Sequence, residues 1–295
     1  MSFKSGFVAI LGEPNVGKST LINTLIKEKV AIVSPKPQTT RDKIIGVYND
    51  NDSQIVFIDT PGMHTSKNKL DEFMSKSIDS AKRGVDVILL VIDGSRKITS
   101  KDIEIIKAYD KQKVILVVNK IDLSTFEDLY PKLEQFNDLK NIVDIVPLSA
   151  KRGDNIQVLI DIIKKYLPSG VKYFDSDVYT DKSVRYIVKE IVREKALWYL
   201  QDEVPHGIAV EIVEFTEGEN LTTIAADIIC EKQSHKSIII GKDGGMLKKI
   251  GMAAREDIEK VVEGKVMLKL FVKVREDWRD NNKYIKDLGY EQNDL

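Results

Sequence analysis

Along the first 150 residues, short unbroken apolar runs alternate with longer segments whose apolar residues recur at helical spacing. The runs are GFVAIL (6–11), QIVFID (54–59), VDVILLVI (85–92), KVILVVN (113–119) and NIVDIVPLS (141–149). Continuous β-branched runs of this length fit strands buried on both faces. Helices are predicted near 18–27, 68–82, 100–111, 125–138 and 154–167, the last with Leu159, Ile162, Ile163 and Tyr166 on one face. Strand and helix in alternation predict α/β layers around a mostly parallel sheet. Only NDNDS separates segments 43–49 and 54–59, so one hairpin, and with it one antiparallel strand, is expected there.

The stretch LPSGVKYFDSDVYTDKS (167–183) has Pro, Gly and Ser and no sustained period, which predicts a linker over 169–182 between a domain at 1–168 and one at 183–295. Beyond it the grammar changes. Val184, Ile187, Val188, Ile191 and Val192 form a helical stripe that continues towards Trp198 and Leu200, and GIAVEIVEF (207–215) then alternates with period two. Residues 222–231 read as a second strand, and 245–263 as a helix with Leu247, Ile250, Ala254, Ile258 and Val261 inward. KVMLKLFVKVR (265–275) sets Val266, Leu268, Leu270, Val272 and Val274 on one face and Lys269, Phe271, Lys273 and Arg275 on the other. The expected order is helix, strand, strand, helix, strand: a smaller α+β domain.

The chain has 295 residues, 42% of them hydrophobic and 31% charged, with a formal net charge of −1. That length suits two domains, and that charge excludes nucleic-acid binding through bulk basicity. The single Cys230 makes no intrachain disulfide, and no apolar secretory-type segment precedes the first motif, so a reducing, cytoplasmic setting is expected. The apolar runs fall far short of the roughly 20 residues that span a bilayer. His64, His206 and His235 are scattered and match no transition-metal spacing. A monomer is expected.

Chemistry concentrates in three strings. GEPNVGKST (12–20) follows a strand and opens a helix, as the pattern G-x-x-x-x-G-K-[ST] requires. Gly12, Glu13, Pro14, Asn15, Val16 and Gly17 form a loop whose N–H groups can face phosphate oxygens. Lys18 would reach the β- and γ-phosphates, Ser19 would offer its hydroxyl to Mg²⁺, and Thr20 is a further nucleotide-binding candidate. DTPG (Asp59, Thr60, Pro61, Gly62) ends another strand. There Asp59 would hold Mg²⁺ through water, and the Gly62 N–H could sense the γ-phosphate. In the aperiodic SPKPQTTRD (34–42), Thr40 rather than Thr39 is the candidate to complete the Mg²⁺ shell.

NKID (119–122) closes the strand VILVV. Asp122 can accept from both the N1–H and the 2-amino group of guanine, which adenine does not present, while Asn119 and Lys120 brace the loop and ring. Ser149, Ala150 and Lys151 follow a further strand, and the Ala150 N–H would meet the guanine carbonyl oxygen. The expected ligands are GTP and GDP with Mg²⁺.

The third string is IIIGKDGGMLKKIG (238–251). A bare Gly-x-x-Gly is a chance-level pattern. Here it stands between an apolar SIII and an amphipathic helix, as a KH module needs for a loop that clamps about four nucleotides. Lys232, Lys236, Lys242, Lys248 and Lys249 crowd it, and Asp243 is the sole acid from 232 to 249. Acidic residues outnumber basic ones after position 170, so RNA is expected at this patch alone: Ile240, Gly241, Lys242, Asp243, Gly244, Gly245, Lys248 and Lys249.

Residues 5–168 resemble the translation-factor branch of P-loop GTPases. One departure is Met63, where small signalling GTPases carry a water-orienting Gln; slow intrinsic hydrolysis, needing another group or a partner, is expected. Related GTPases with PNVGKS look able to use the Asn, so Asn15 is a candidate to hold K⁺ across the phosphates. Asn15, Lys18, Thr40, Asp59 and Gly62 then form the expected catalytic set. PNVGKS, QTTRD, DTPG and NKID together with VREK (192–195), the GxxG string and KVREDWRDN…LGY (273–290) resemble the Era family across nearly the whole chain. That resemblance implies a type II KH fold, GTP hydrolysis, and binding to the 3′ end of small-subunit (16S) ribosomal RNA within the immature 30S subunit. It also implies peripheral association with the inner face of the cell membrane. Two rival readings stand beside it: an RNA-binding scaffold with structural nucleotide, and a membrane-associated signalling GTPase whose second domain binds protein.

Overall fold

The computed structural model describes residues 2–63, 67–109, 112–136 and 139–290; His64, within the expected 60–70 switch segment, lies outside them. The chain forms two compact units. The first comprises Met1–Ala31, Thr40–His64 and Ser75–Asp181.

Its sheet has six strands in the order β2-β3-β1-β4-β5-β6: β1 (Lys4–Leu11), β2 (Ile44–Asn49), β3 (Ser53–Asp59), β4 (Val87–Asp93), β5 (Val114–Asn119) and β6 (Ile142–Pro147). All neighbours are parallel except β2 with β3, the expected hairpin. The unbroken apolar runs are explained by two cores. Val8, Ile10, Leu89, Val91, Ile115 and Val117 point to one side, against Leu21 and Leu25 of α1 (Lys18–Ile26) and Leu159 and Ile163 of α5 (Ile156–Tyr166). Their neighbours Ala9, Leu11, Ile88, Leu90, Leu116 and Val118 point to the other. There they meet Ile78 of α2 (Lys69–Ala81), Ile106 of α3 (Ser100–Lys107) and Phe136 after α4 (Phe126–Glu134). Each fully buried Val, Leu, Ile or Phe among them contributes about 1.5–3 kcal/mol.

α3 and α4 are shorter than the pattern predicts. Capping fixes their starts: Thr99 and Asp102 form a capping box on α3, and the Thr125 side chain accepts from the Asp128 N–H on α4. Residues 169–181, expected to be a linker, lie in the first unit along the edge strand β2. Gln54 ties them down, donating to the Phe174 carbonyl at 2.8 Å and accepting from the Tyr173 N–H at 2.6 Å. The Val47 N–H donates to the Tyr179 carbonyl at 2.9 Å, and Thr180 Oγ1 to the Ile45 carbonyl at 2.7 Å. The segment thus covers an edge that would otherwise expose unpaired backbone groups.

The second unit comprises Ile32–Thr39, Thr65–Met74 and Lys182–Leu295. Its elements are α6 (Val184–Tyr199), β7 (Ala209–Thr216), β8 (Thr222–Cys230), α7 (Gln233–Ile240), α8 (Gly245–Val261), β9 (Val266–Val274) and α9 (Asn282–Asp287). β7 and β8 pair antiparallel, β8 and β9 parallel. The order is therefore helix, strand, strand, helix, helix, strand, helix: α7 and α9 are additions to the expectation, and α7, with five polar residues followed by three isoleucines, is too short to announce a period. Ile191, Val192, Ile228, Ile250, Ala254 and Ile258 centre the core. Val184 and Trp198, expected on the inward stripe of α6, are 39% and 50% exposed. Beyond β9, the fully buried Trp278 donates its indole N–H to the Gly207 carbonyl at 2.9 Å and packs with Tyr290, Ile285 and Leu288 over Ala209 and Ile229.

Candidate functional site

β1, β3, β4 and β5 run parallel, so Leu11, Asp59, Asp93 and Asn119 finish at one edge of the sheet, the edge where open α/β sheets bind ligands. Between β1 and α1 the loop takes conformations that only glycine holds without strain. Gly12 has φ 149°, and a Cβ there would lie 2.3 Å from the Val91 carbonyl oxygen; Gly17 has φ 98°, and its Cβ would lie 2.3 Å from Asn119 Nδ2. Lys18 Nζ is buried and donates to the Gly12 and Glu13 carbonyls at 3.1 and 2.9 Å, curling the loop around its own ammonium. Burial lowers that ammonium to about 8, against the attraction of Asp59 and Glu13. Pro14 and Val16 lie within the loop, and Asn15 is exposed at φ 63°. Thr20 gives its carbonyl to Thr24 Oγ1 at 2.9 Å, inside α1.

The three expected magnesium ligands come together. Ser19 Oγ lies 2.8 Å from Thr40 Oγ1 and donates to Asp59 Oδ2 at 3.0 Å, while Thr40 Oγ1 reaches the same carboxylate oxygen at 3.4 Å. Thr39 does not join them; its hydroxyl donates to the Lys36 carbonyl at 2.7 Å in a local turn. Burial raises Asp59 to about 6, opposed by Lys18 and by hydrogen bonds from Ser19, Thr60 and Thr40. Two hydroxyls and a desolvated carboxylate are a hard oxygen set that fits a small divalent cation. Among the described residues no group of three or more His, Cys, Asp or Glu could hold a metal. Thr60 is anchored through Oγ1 to the Ile10 carbonyl at 3.0 Å, and Pro61 is buried. Gly62 passes so near the loop that a Cβ would meet Pro14 at 2.8 Å, and the next N–H, of Met63, donates to the Gly12 carbonyl at 3.3 Å. The Met63 side chain packs against the α3 and α4 core, with the Tyr109 hydroxyl 3.7 Å from its sulfur.

At the base end, Asn119 is a buried hub. Its Nδ2 donates to the Val16 carbonyl at 2.8 Å, and its Oδ1 accepts from the N–H groups of Lys120 and Ala150 at 2.8 and 2.9 Å. The Ala150 N–H, expected to meet the guanine carbonyl, is thus donated to Asn119. Ser149 Oγ donates to Asp122 Oδ1 at 2.7 Å; Lys151 is exposed beside them. Two residues outside the sequence expectation complete the frame. Asp93 takes Lys120 Nζ at 2.6 Å; burial alone would raise this carboxyl, but Lys120 and Ser95 hold it below its ordinary value. Arg96 bridges loop residue Glu13 at 3.0 Å and Asp102 at 2.7 Å, which ties the phosphate loop to the cap of α3. Only the DG after β4 hinted at the first, and nothing local at the second.

In the second unit the GxxG string joins α7 to α8. Gly241 has φ 72° and a Cβ there would press on Met246 at 2.7 Å; Asp243 has φ 52°; Gly244 has φ 75° and open space around it. Gly244 and Lys248 line a groove of about 540 Å³ with Leu221, Leu247, Arg255 and Met267. Lys242 and Gly245 are exposed beside it, and Ile240 is half-buried. Lys249 points elsewhere, its ammonium 4.4 Å from the Tyr199 ring centroid. Arg255, two helical turns beyond Lys248 on α8, is a groove cation that the GxxG pattern does not mark.

A phosphate loop, a guanine-type NKID loop and a helix-flanked GxxG groove define a P-loop GTPase that carries a KH domain. Family models agree: one described as a 50S ribosome-binding GTPase matches residues 7–120 and one described as a KH domain matches 203–279. GTPase Era of Clostridium tetani (strain Massachusetts / E88) is 48% identical over 294 residues, 98% of this chain and 100% of that protein. GTPase Era of Clostridium botulinum (strain Alaska E43 / Type E3) is 49% identical over 293 residues, 98% of this chain and 99% of that protein. The chain superposes with TM-score 0.94 and 40% identity on Era in complex with MgGDPNP and nucleotides 1506–1542 of 16S ribosomal RNA, over 98% of this chain and 100% of that one. The same values hold for a variant of Aquifex aeolicus Era bound to GDP and AlF4⁻. The chain belongs to the Era family of GTPases, and is a GTP hydrolase that binds GTP and GDP.

Proposed function

We propose that this GTPase uses its nucleotide cycle to control binding of the 3′ region of 16S ribosomal RNA during maturation of the small (30S) subunit. The observation that carries the reading is the GxxG groove, open at Gly244 and flanked by Lys248 and Arg255, in the same chain as the nucleotide site. Lys18 holds the phosphates. Ser19, Thr40 and Asp59 hold Mg²⁺, which supplies charge neutralisation on the phosphates when bound, and the Gly62 N–H senses the γ-phosphate. Asp122 reads guanine, and Asn119, Lys120, Ser149, Ala150 and Lys151 shape the base pocket. Asn15 is the candidate group for K⁺ at the phosphates.

The RNA-clamping set is Ile240, Gly241, Lys242, Asp243, Gly244, Gly245 and Lys248, with Arg255 added; Lys249, turned onto Tyr199, would have to leave that ring to join them. Residues 169–182 join the two functions. The setting is the cytoplasm, with peripheral contact to the inner face of the membrane; among the described residues no helix is long and apolar enough to cross one.

The test measures RNA affinity and phosphate release together. Labelled RNA of nucleotides 1506–1542 should bind more tightly with a GTP analogue than with GDP, and Gly244→Asp should lose it while keeping GTP turnover. Equal affinity in both nucleotides would overturn the gating. RNA binding without any turnover would favour the scaffold reading, and Gly244→Asp with unchanged RNA affinity would favour a protein-binding domain. Equal turnover in potassium and sodium buffers would remove the role for Asn15.

A further inference from the structure

Strand β9 is an edge strand whose two faces differ. The inward face, Val266, Leu268, Leu270 and Val272, packs into the core. On the outward face, Met267 and Phe271 are 46% and 55% exposed, and Lys269 and Lys273 are exposed between and beyond them. Lysines alone would guard an edge strand against pairing with another chain. A half-exposed phenyl ring among them works against that guarding and calls for another cause.

The surroundings of Phe271 are specific. Across the sheet it faces Asp227, which is 2% exposed and paired with Lys273 Nζ at 2.6 Å; beyond it Glu211 is paired with Arg275 at 2.6 Å. Both nearby carboxylates are therefore matched by cations, and Lys269 adds a further positive charge. Lys269 faces the small Ala225 on β8, and the Phe271 side chain remains 55% exposed. Successive outward residues are spaced about 6.6 Å apart along a strand. The row begins at Met267, which also lines the GxxG groove.

We propose that the outward face of β9 is a stacking platform for single-stranded RNA leaving the groove, with one base on the Phe271 ring and the adjoining phosphates on Lys269 and Lys273. An aromatic ring between two cations on a sheet face suits a nucleotide, whose base is flat and apolar and whose backbone is anionic. The inference rests on the RNA reading above and extends it beyond the helix-bounded groove.

The test compares Phe271→Ala, Phe271→Leu, Phe271→Trp and Gly244→Asp in the full chain. The readout is fluorescence anisotropy with RNA of nucleotides 1506–1542, after thermal unfolding and GDP binding show each variant folded. Phe271→Ala and Phe271→Leu should weaken RNA binding roughly five- to a hundred-fold, and Phe271→Trp should retain it. Lys269→Ala should lower the slope of log affinity against log salt by about one. Loss with Gly244→Asp but wild-type affinity with Phe271→Ala would overturn the platform alone. Full affinity with Gly244→Asp would overturn the RNA reading beneath it. Unchanged RNA affinity with lost binding to phosphatidylserine-containing vesicles would assign the face to lipid and overturn the proposal.

Discussion

Ser149 Oγ donates a 2.7 Å hydrogen bond to Asp122 Oδ1, and the same hydroxyl accepts the Arg152 N–H at 3.2 Å. The carboxylate expected to read guanine is thus fixed before any base arrives, by a residue 27 positions away in sequence. Ser149→Ala should weaken GDP binding about two- to tenfold, the worth of one orienting hydrogen bond. Asp122→Ala should weaken it about a thousandfold or more, because two base donors are left unpaired. Asp122→Asn should favour a base with a carbonyl in place of the 2-amino group. Titration calorimetry with GDP and xanthosine diphosphate measures all three.

Gly17 is where the phosphate and base halves touch, since any Cβ at φ 98° would occupy the space of Asn119 Nδ2. Gly17→Ala should lower GDP affinity at least about a hundredfold, combining roughly 1–3 kcal/mol of backbone strain with displacement of a buried hub. The far-ultraviolet circular dichroism should hardly change, because the sheet does not depend on this loop. Near-native GDP affinity would mean that Asn119 moves aside freely.

Which parts of this could be read from sequence follows from how local their causes are. The strands were legible because alternate residues such as Ile10 and Leu11 enter two different cores, leaving an unbroken apolar run. Lys18, Ser19 and Asp59 were legible because fixed spacing and strand ends place them. Asp93 and Arg96 were not, because their partners Lys120 and Glu13 lie far along the chain and meet them only once the sheet is built. The path of residues 169–181 was hidden for the same reason: buried Gln54 holds it, and a Gln in a strand signals nothing by itself. Helix α7 was hidden because SIII is apolar without a period.

Asp59 and Lys18 give the site a pH window. Burial raises Asp59 from 3.8 to about 6, so in buffer without nucleotide this group's cost to stability grows as pH rises through roughly 4 to 6 and is complete above it. Lys18, lowered from 10.5 to about 8, imposes its cost below about 8 and is relieved as pH rises towards its unfolded value. If Asp59 holds Mg²⁺ as proposed, the metal must compete with the Asp59 proton. The Mg²⁺-dependent part of GDP affinity should therefore be flat near neutrality and fall below pH 6 by up to about tenfold per unit. Fluorescent GDP binding with Mg²⁺ and with chelator, from pH 5 to 8, checks this. The acid slope should vanish in Asp59→Asn; a slope that persists there would assign the proton to another group.

Met63 tests whether the chain can be given the hydrolytic device of the signalling GTPases. Its side chain belongs to the α3 and α4 core, with the Tyr109 hydroxyl on its sulfur, and does not project as a free arm beside Gly62. A glutamine of similar length at this position would place its amide against that apolar core, with the Tyr109 hydroxyl as its polar neighbour in the native arrangement. Met63→Gln should therefore destabilise the protein by about 1–3 kcal/mol, the cost of burying an amide with incomplete partners, and leave single-turnover GTP hydrolysis within about twofold of wild type. Met63→Leu should keep both. An acceleration of tenfold or more in Met63→Gln would show that the side chain leaves the core when GTP binds, and that the native methionine, rather than the direction of the backbone, limits the intrinsic rate.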